Sequence, residues 1–89
     1  MTDASTDHII RVAIVDDHAI LRSGLRMLIE THSGMSVVGE AGNREEAFSL
    51  ADEQRPDIIL LDLDLGGESS LNFIQDLIRA SGARILVLT

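Results

Sequence analysis

The stretch that decides the fold is "IIRVAIVDDHAILRSGLRMLIE", residues 9 to 30. Its first seven residues are short, rich in β-branched side chains and nearly continuous in hydrophobicity, as strands buried on both faces of a parallel sheet are. Two adjacent acids, Asp16 and Asp17, end the run. The period then changes: Leu21, Leu25, Leu28 and Ile29 recur at helical spacing, which predicts a helix over 18–32 with Gly34 as its stop signal. A buried strand, an acidic tip and an amphipathic helix in that order are the opening of an α/β sheet.

The same grammar continues along the chain. "MSVVGE" (35–40), with more polar interruptions, reads as an edge strand, while "IILL" (58–61) and "RILVLT" (84–89) repeat the buried type. Asn43 followed by Glu46 marks the start of a helix over about 44–54. That helix must end before Pro56, because the residue preceding a proline avoids the helical conformation. Leu71, Ile74, Leu77 and Ile78 predict a third helix, roughly 70–80, closed by Gly82. Four strands separated by single helices build a parallel sheet through right-handed crossovers, with helices on both faces. Residues 1–8 read as a disordered tail and 9–89 as one domain.

Composition narrows the function classes. The chain has 89 residues, enough for one core, and fifteen acids against seven arginines give a formal net charge of −8 with no lysine. Such a surface repels nucleic acid and anionic membranes, whose affinity depends on basic side chains. No apolar run approaches the roughly 20 residues of a membrane span, the N-terminus lacks a signal-peptide pattern, and there is no cysteine. A cytoplasmic location is the default expectation.

All strands of a parallel sheet point one way, so their C-terminal ends meet at one edge, where ligands of open α/β sheets bind. Asp16 and Asp17 end the first strand, Asp62 the third and Thr89 the fourth, so residues more than seventy positions apart should converge there. Carboxylates held that close tolerate each other only when protonated or bridged by a cation. An all-oxygen donor set without cysteine or a histidine pair points to Mg²⁺ or Mn²⁺. Taken singly, each aspartate is an ordinary loop or cap residue; it is their convergence that carries the metal reading. Asp64 reads as a solvent-facing turn residue, and His18 as exposed at the helix start rather than a ligand. Gly66 and Gly67 form a turn without the spacing of a phosphate-cradling loop.

"VAIVDDHAILRSGLRMLIE" together with "VVGEAGNREEAFSLADEQRPDIILLDLDL" resembles the receiver domain of bacterial two-component response regulators, specifically the NarL/FixJ subfamily with its LuxR-type helix-turn-helix output, over about Arg11 to Thr89. The resemblance implies a flavodoxin-like doubly wound sheet of strand order 2-1-3-4. It implies that Asp62 is a phosphoacceptor, not an enzyme's catalytic group in the usual sense, taking a phosphoryl group from a sensor histidine kinase. Asp17 would ligate Mg²⁺ directly, Asp16 mainly through water, and Asp62 with the Asp64 backbone carbonyl would complete the protein ligands. Thr89 would be the hydroxyl that bonds the phosphoryl oxygen and moves on activation.

Departures from the family pattern are specific. The fifth strand with its lysine and aromatic switch residue, the last two helices and the DNA-binding domain are not in this sequence, and "LGGESS" (65–70) stands where a Met-Pro turn is commoner. An unpaired fourth strand predicts a homo-oligomer, with DNA reached only through an output domain elsewhere and no membrane partner. Two further readings compete: a phosphorylation-independent receiver-like dimerisation module, and a haloacid-dehalogenase-type phosphatase suggested by Asp62 and Asp64 as a "DxD" pair but short of that family's remaining motifs.

Overall fold

A computed structural model describes residues 8–88. Thr89 and the first seven residues, where the expected tail and the expected switch hydroxyl fall, lie outside the described residues. The element order is β1 (Ile10–Val15), α1 (Ala19–Glu30), β2 (Met35–Ala41), α2 (Arg44–Gln54), β3 (Ile58–Asp62), β4 (Asp64–Leu65), β5 (Glu68–Ser69), a 3₁₀ turn (Ser70–Asn72), α3 (Ile74–Ser81) and β6 (Arg84–Leu88). β2, β1, β3 and β6 form a parallel sheet in that order, the expected α/β topology.

Register places the strand tips. Val15 pairs with Leu61 across β1 and β3, so Asp16 and Asp62, the next residues, end neighbouring strands side by side. Strands in a sheet are about 4.8 Å apart, which by itself brings these two carboxylates within reach of one ion. β1 also pairs with β2, with a register shift between Val12 and Ala13.

The two faces of the sheet are filled differently. Ala13, Val15, Ile59 and Leu61 point toward α2 and α3 and pack with Ala47, Ala51, Phe73 and Leu77, all nearly inaccessible to solvent. Small residues at Ala13, Ala47 and Ala51 let α2 lie close on the sheet, and the Phe48 and Phe73 rings meet at 5.8 Å. On the opposite face α1 lies over β1 and β2. There Val12 and Ile14 are buried, Ile58 and Leu60 are half-buried, and Leu86 is 55% exposed.

Several expected details change. The predicted stripe of α1 is displaced: Leu21 and Leu28 are exposed, and the half-buried positions are Arg22, Leu25, Arg26 and Ile29. The two arginines reach Glu40 on β2, and their aliphatic stems replace leucines over the sheet. β6 reads as a buried strand but is a sheet edge among the described residues, with Leu86 and Val87 exposed. The third helix does not run continuously from residue 70: Ser70–Asn72 is a 3₁₀ turn, Phe73 breaks the helical geometry, and the α-helix starts at Ile74. The break has a cause in Ser70, whose hydroxyl donates to the Asp62 carbonyl and whose N–H donates to the Leu63 carbonyl at 2.8 Å, tying this turn to the end of β3. Phe73 rather than Leu71 is thereby turned into the core.

Other signals hold. Asn43 accepts the Glu46 N–H at 2.9 Å, and the Glu46 carboxylate reaches back to the Gly42 N–H at 2.8 Å, one residue before the expected partner of a capping box. α2 stops at Gln54, before Pro56, with Arg55 in the left-handed conformation, and Gly82 closes α3 in the same way.

Candidate metal and phosphoacceptor site

Four side chains meet at the C-terminal edge of the sheet. One ligand-capable atom from each of Asp16, Asp17, His18 and Asp62 lies within 4.8 Å of all the others. Sheet geometry supplies Asp16 and Asp62; the chain's exit from β1 toward α1 supplies Asp17 and His18.

Asp16 is the buried member, 1% exposed. Its backbone N–H donates to the Ala41 carbonyl at 3.0 Å, and its own carbonyl accepts from the Arg22 guanidinium. The carboxylate Oδ1 accepts from the His18 backbone N–H at 2.7 Å. Asp17 is more open, and its Oδ2 accepts the Gly66 N–H at 3.0 Å, which draws the hairpin after β3 toward the end of β1. The Asp62 side chain is 15% exposed, with Oδ1 accepting the Asp64 N–H at 3.1 Å.

The hairpin is a feature the sequence reading misses. β4 and β5 pair antiparallel across Gly66 and Gly67, whose φ angles of 59° and 92° lie in the left-handed region that two-residue hairpins require. Asp64 is exposed, as expected, and accepts the Gly67 N–H at 3.1 Å, so its side chain shapes the turn. "Gly-Gly" between Asp64-Leu65 and Glu68-Ser69, two residues of the kind that close a tight hairpin, is the signal that could have revealed it.

His18 is exposed at the start of α1, as expected, yet its ring turns inward. Nδ1 lies 2.8 Å from Asp16 Oδ1, 3.1 Å from Asp17 Oδ1 and 4.0 Å from Asp62 Oδ2. The hydrogen bond to Asp16 raises the imidazole pKa first, followed by the negative charges of Asp17 and Asp16; slight desolvation opposes them, and Asp62 adds a smaller increment. Among the described residues no arginine pairs with the Asp16, Asp17 or Asp62 carboxylate oxygens. Three converging carboxylates without a guanidinium, one of them almost fully buried, are a donor set suited to a hard divalent cation. A surface hollow of about 460 Å³ lies at the opposite edge of the sheet beside Arg55–Ile58 and has no part in this cluster.

Comparison with known proteins decides the family. The response regulator receiver domain model matches residues 12–89. This chain is a member of that family. It is 44% identical over 79 residues to the transcriptional regulatory protein YdfI of Bacillus subtilis strain 168, covering 89% of this chain and 37% of the relative. A crystal structure of a LuxR-family two-component response regulator from Aurantimonas sp. SI85-9A1 superposes with a TM-score of 0.80 at 41% identity, covering 89% of this chain and 57% of that one. A response regulator from Burkholderia pseudomallei, crystallised with a phosphorylated aspartic acid, a calcium ion and citrate, gives a TM-score of 0.80 at 35% identity over 89% of this chain and 46% of that one. The NarL/FixJ resemblance and the flavodoxin-like sheet of the receiver domain therefore both stand. The receiver spans less than two-fifths of the length of its curated relative. Among its described residues no helix is long and apolar enough to cross a membrane.

Proposed function

We propose that this receiver is the phosphoacceptor switch of a two-component regulator, with Asp62 taking a phosphoryl group from a phosphohistidine of a sensor kinase. The observation that carries the reading is the side-by-side placement of Asp62 with Asp16 and Asp17 at the sheet's C-terminal edge. An Asp62 carboxylate oxygen would form the new bond to phosphorus as the bond to the histidine nitrogen breaks, leaving an aspartyl phosphate and a free imidazole on the kinase.

The surroundings of Asp62 suit a nucleophile that must be aimed. The Asp64 N–H holds Oδ1, which leaves Oδ2 free of that bond and 4.0 Å from His18 Nδ1. Ser70 pins the Asp62 carbonyl, so the backbone beneath the nucleophile is braced from the α3 side. Asp16, Asp17 and Asp62, with the Asp64 carbonyl, are the residues that would hold Mg²⁺. The chemistry such an ion supplies is neutralisation of charge on the transferring phosphoryl group.

The output would be transcriptional. A surface of net charge −8 is unsuited to DNA, so promoter contact would fall to a segment outside this sequence, as the name of the YdfI relative suggests. Thr89 would be the hydroxyl that reports phosphorylation to that segment. The second reading, a module that associates without phosphorylation, is favoured by the exposed Leu86 and Val87 on the edge strand β6.

Intact mass spectrometry after incubation with Mg²⁺ and acetyl phosphate tests the main reading. A gain of one phosphoryl group that requires Mg²⁺ and disappears in Asp62→Asn is expected. No gain in folded protein that binds Mg²⁺ would leave the association reading in front.

A further inference from the structure

The seven arginines of the chain, its only strong cations, divide sharply by what they touch. Arg22 and Arg26 pair with Glu40, Arg44 with Glu68 and Arg79 with Asp76. Arg11 spends its guanidinium on the Gln54 carbonyl at 2.5 Å, the Arg55 carbonyl at 3.1 Å and the Gln54 side chain at 3.0 Å. Arg55 and Arg84 are left. Among the described residues neither has an ion pair, although the chain carries fifteen acids. Both line the hollow of about 460 Å³ at the N-terminal edge of the sheet, far from the acidic cluster.

We infer that this hollow is a binding site for a small organic dicarboxylate, held by one carboxylate on Arg55 and one on Arg84. A guanidinium presents a planar fork that matches a carboxylate with two parallel hydrogen bonds. Ile10, Pro56 and Ile58 supply apolar surface between the charges for the carbon body of the ligand. The hollow's volume falls in the range of small-molecule sites and exceeds what a lone phosphate would fill. The inference does not depend on the phosphoacceptor reading, which concerns the other edge of the sheet.

Two features would oppose an anion here, and the structure neutralises both. The C-terminal ends of α2 and α3 border the hollow, and such ends carry partial negative charge. Their carbonyls are already occupied: Gln54 and Arg55 by the Arg11 guanidinium, Leu77 by the Ser81 hydroxyl at 2.7 Å, and Ile78 by the Gly82 N–H at 2.8 Å. The Asp57 carboxylate also lines the hollow, but its Oδ2 accepts the Arg11 N–H at 2.8 Å, and one carboxylate stands against two guanidiniums. The backbone at Arg55 adds a separate observation. With φ 47° it is the only non-glycine residue in the left-handed region among the described residues, whereas Gly82 closes α3 in the same conformation. Glycine is the easier residue at such a helix end, so the arginine is kept at a conformational cost, with its side chain on the hollow.

The test is titration of the untagged, ¹⁵N-labelled chain with succinate in metal-free, low-salt buffer, followed by two-dimensional amide NMR. Saturable shifts are expected at Asp57, Gly82 and Arg84, with Asp16, Asp17 and Asp62 unmoved. Arg55→Gly and Arg84→Gln should each weaken binding about tenfold, as should replacing succinate by its monoamide, since each change removes one charge-assisted contact. Arg55→Gly relaxes the left-handed backbone, so its urea midpoint should equal or exceed that of wild type, and its loss of binding cannot be put down to unfolding. No saturable shift at millimolar succinate, or affinity unchanged in both folded variants, would overturn the site. Inorganic phosphate binding at the same amides as tightly as succinate would overturn the dicarboxylate assignment, because a single oxyanion would then suffice.

Discussion

The two faces of the sheet are held by different physics. On one, α2 and α3 cover Ala13, Val15, Ile59 and Leu61 with a continuous apolar core. On the other, α1 buries none of its residues completely and is fastened to β2 by Arg22 and Arg26 on Glu40, at 3.1 Å and 2.6 Å. Beyond α1 the sheet surface at Leu60 and Leu86 forms an apolar hollow of about 290 Å³. The site lies at the shared edge, so its aspartates are positioned by strands whose rigidity comes mainly from the α2/α3 side.

Adjacent residues of β3 offer the sharpest test of that contrast. Leu61 is fully buried toward α2 and α3, while Leu60, its neighbour, faces the other way and is half-buried. Leu61→Ala should cost about 2–5 kcal/mol in urea unfolding, the range for a leucine removed from a packed core. Leu60→Ala should cost about 1 kcal/mol, since less of its surface leaves water on folding. Equal losses would break the comparison by showing that Leu60 is as well covered in solution as Leu61.

How far this contrast was legible in the sequence depended on which residues carried it. The α2 boundaries were readable because Asn43, Glu46 and Pro56 act locally, through capping and backbone sterics. The convergence of Asp16, Asp17 and Asp62 was readable because parallel topology and strand ends fix it. The displaced stripe of α1 was not, because an arginine stem over a sheet counts as polar in any hydrophobic pattern. Nor was the inward turn of His18, which depends on a backbone bend at the end of β1 and not on spacing. The start of α3 departs from the helical pattern for a similar reason: Ser70 bonds to the end of β3, a tertiary contact that overrides the helical period of Leu71 and Ile74.

A smaller effect should separate the faces by pH and salt. The hydrogen bond and charge of Arg26, with the help of Arg22, hold the Glu40 carboxyl below the usual glutamate range against a modest desolvation. A depressed folded-state pKa contributes stability above the unfolded value and loses it as pH falls through the folded one. Glu40→Gln should therefore cost up to about 1 kcal/mol near neutrality at low salt, given the partial exposure of all three side chains. The difference from wild type should vanish as pH falls below the glutamate range, and shrink toward zero near 1 M NaCl. A cost unchanged by acid and salt would mean that Glu40 acts through packing, and that α1 is held much as α2 and α3 are.

The smallest stability effect is expected at the far corner of the open face. Leu86 on β6 is 55% exposed, so replacing it with arginine removes little buried area and strands no polar group. Leu86→Arg should shift the unfolding free energy by less than about 0.5 kcal/mol at micromolar concentration. Its consequence lies in association: a positive charge on an exposed edge strand opposes pairing with another chain. If wild type sediments as a concentration-dependent oligomer and Leu86→Arg as a monomer of similar stability, the open face is where copies meet. If the substitution destabilises wild type strongly and only at concentrations where it is oligomeric, Leu86 is buried in the assembly, and the difference between the two faces belongs to the monomer alone. A wild-type monomer at all concentrations, indifferent to the substitution, would remove the association reading and leave the acidic edge as the functional part of the molecule.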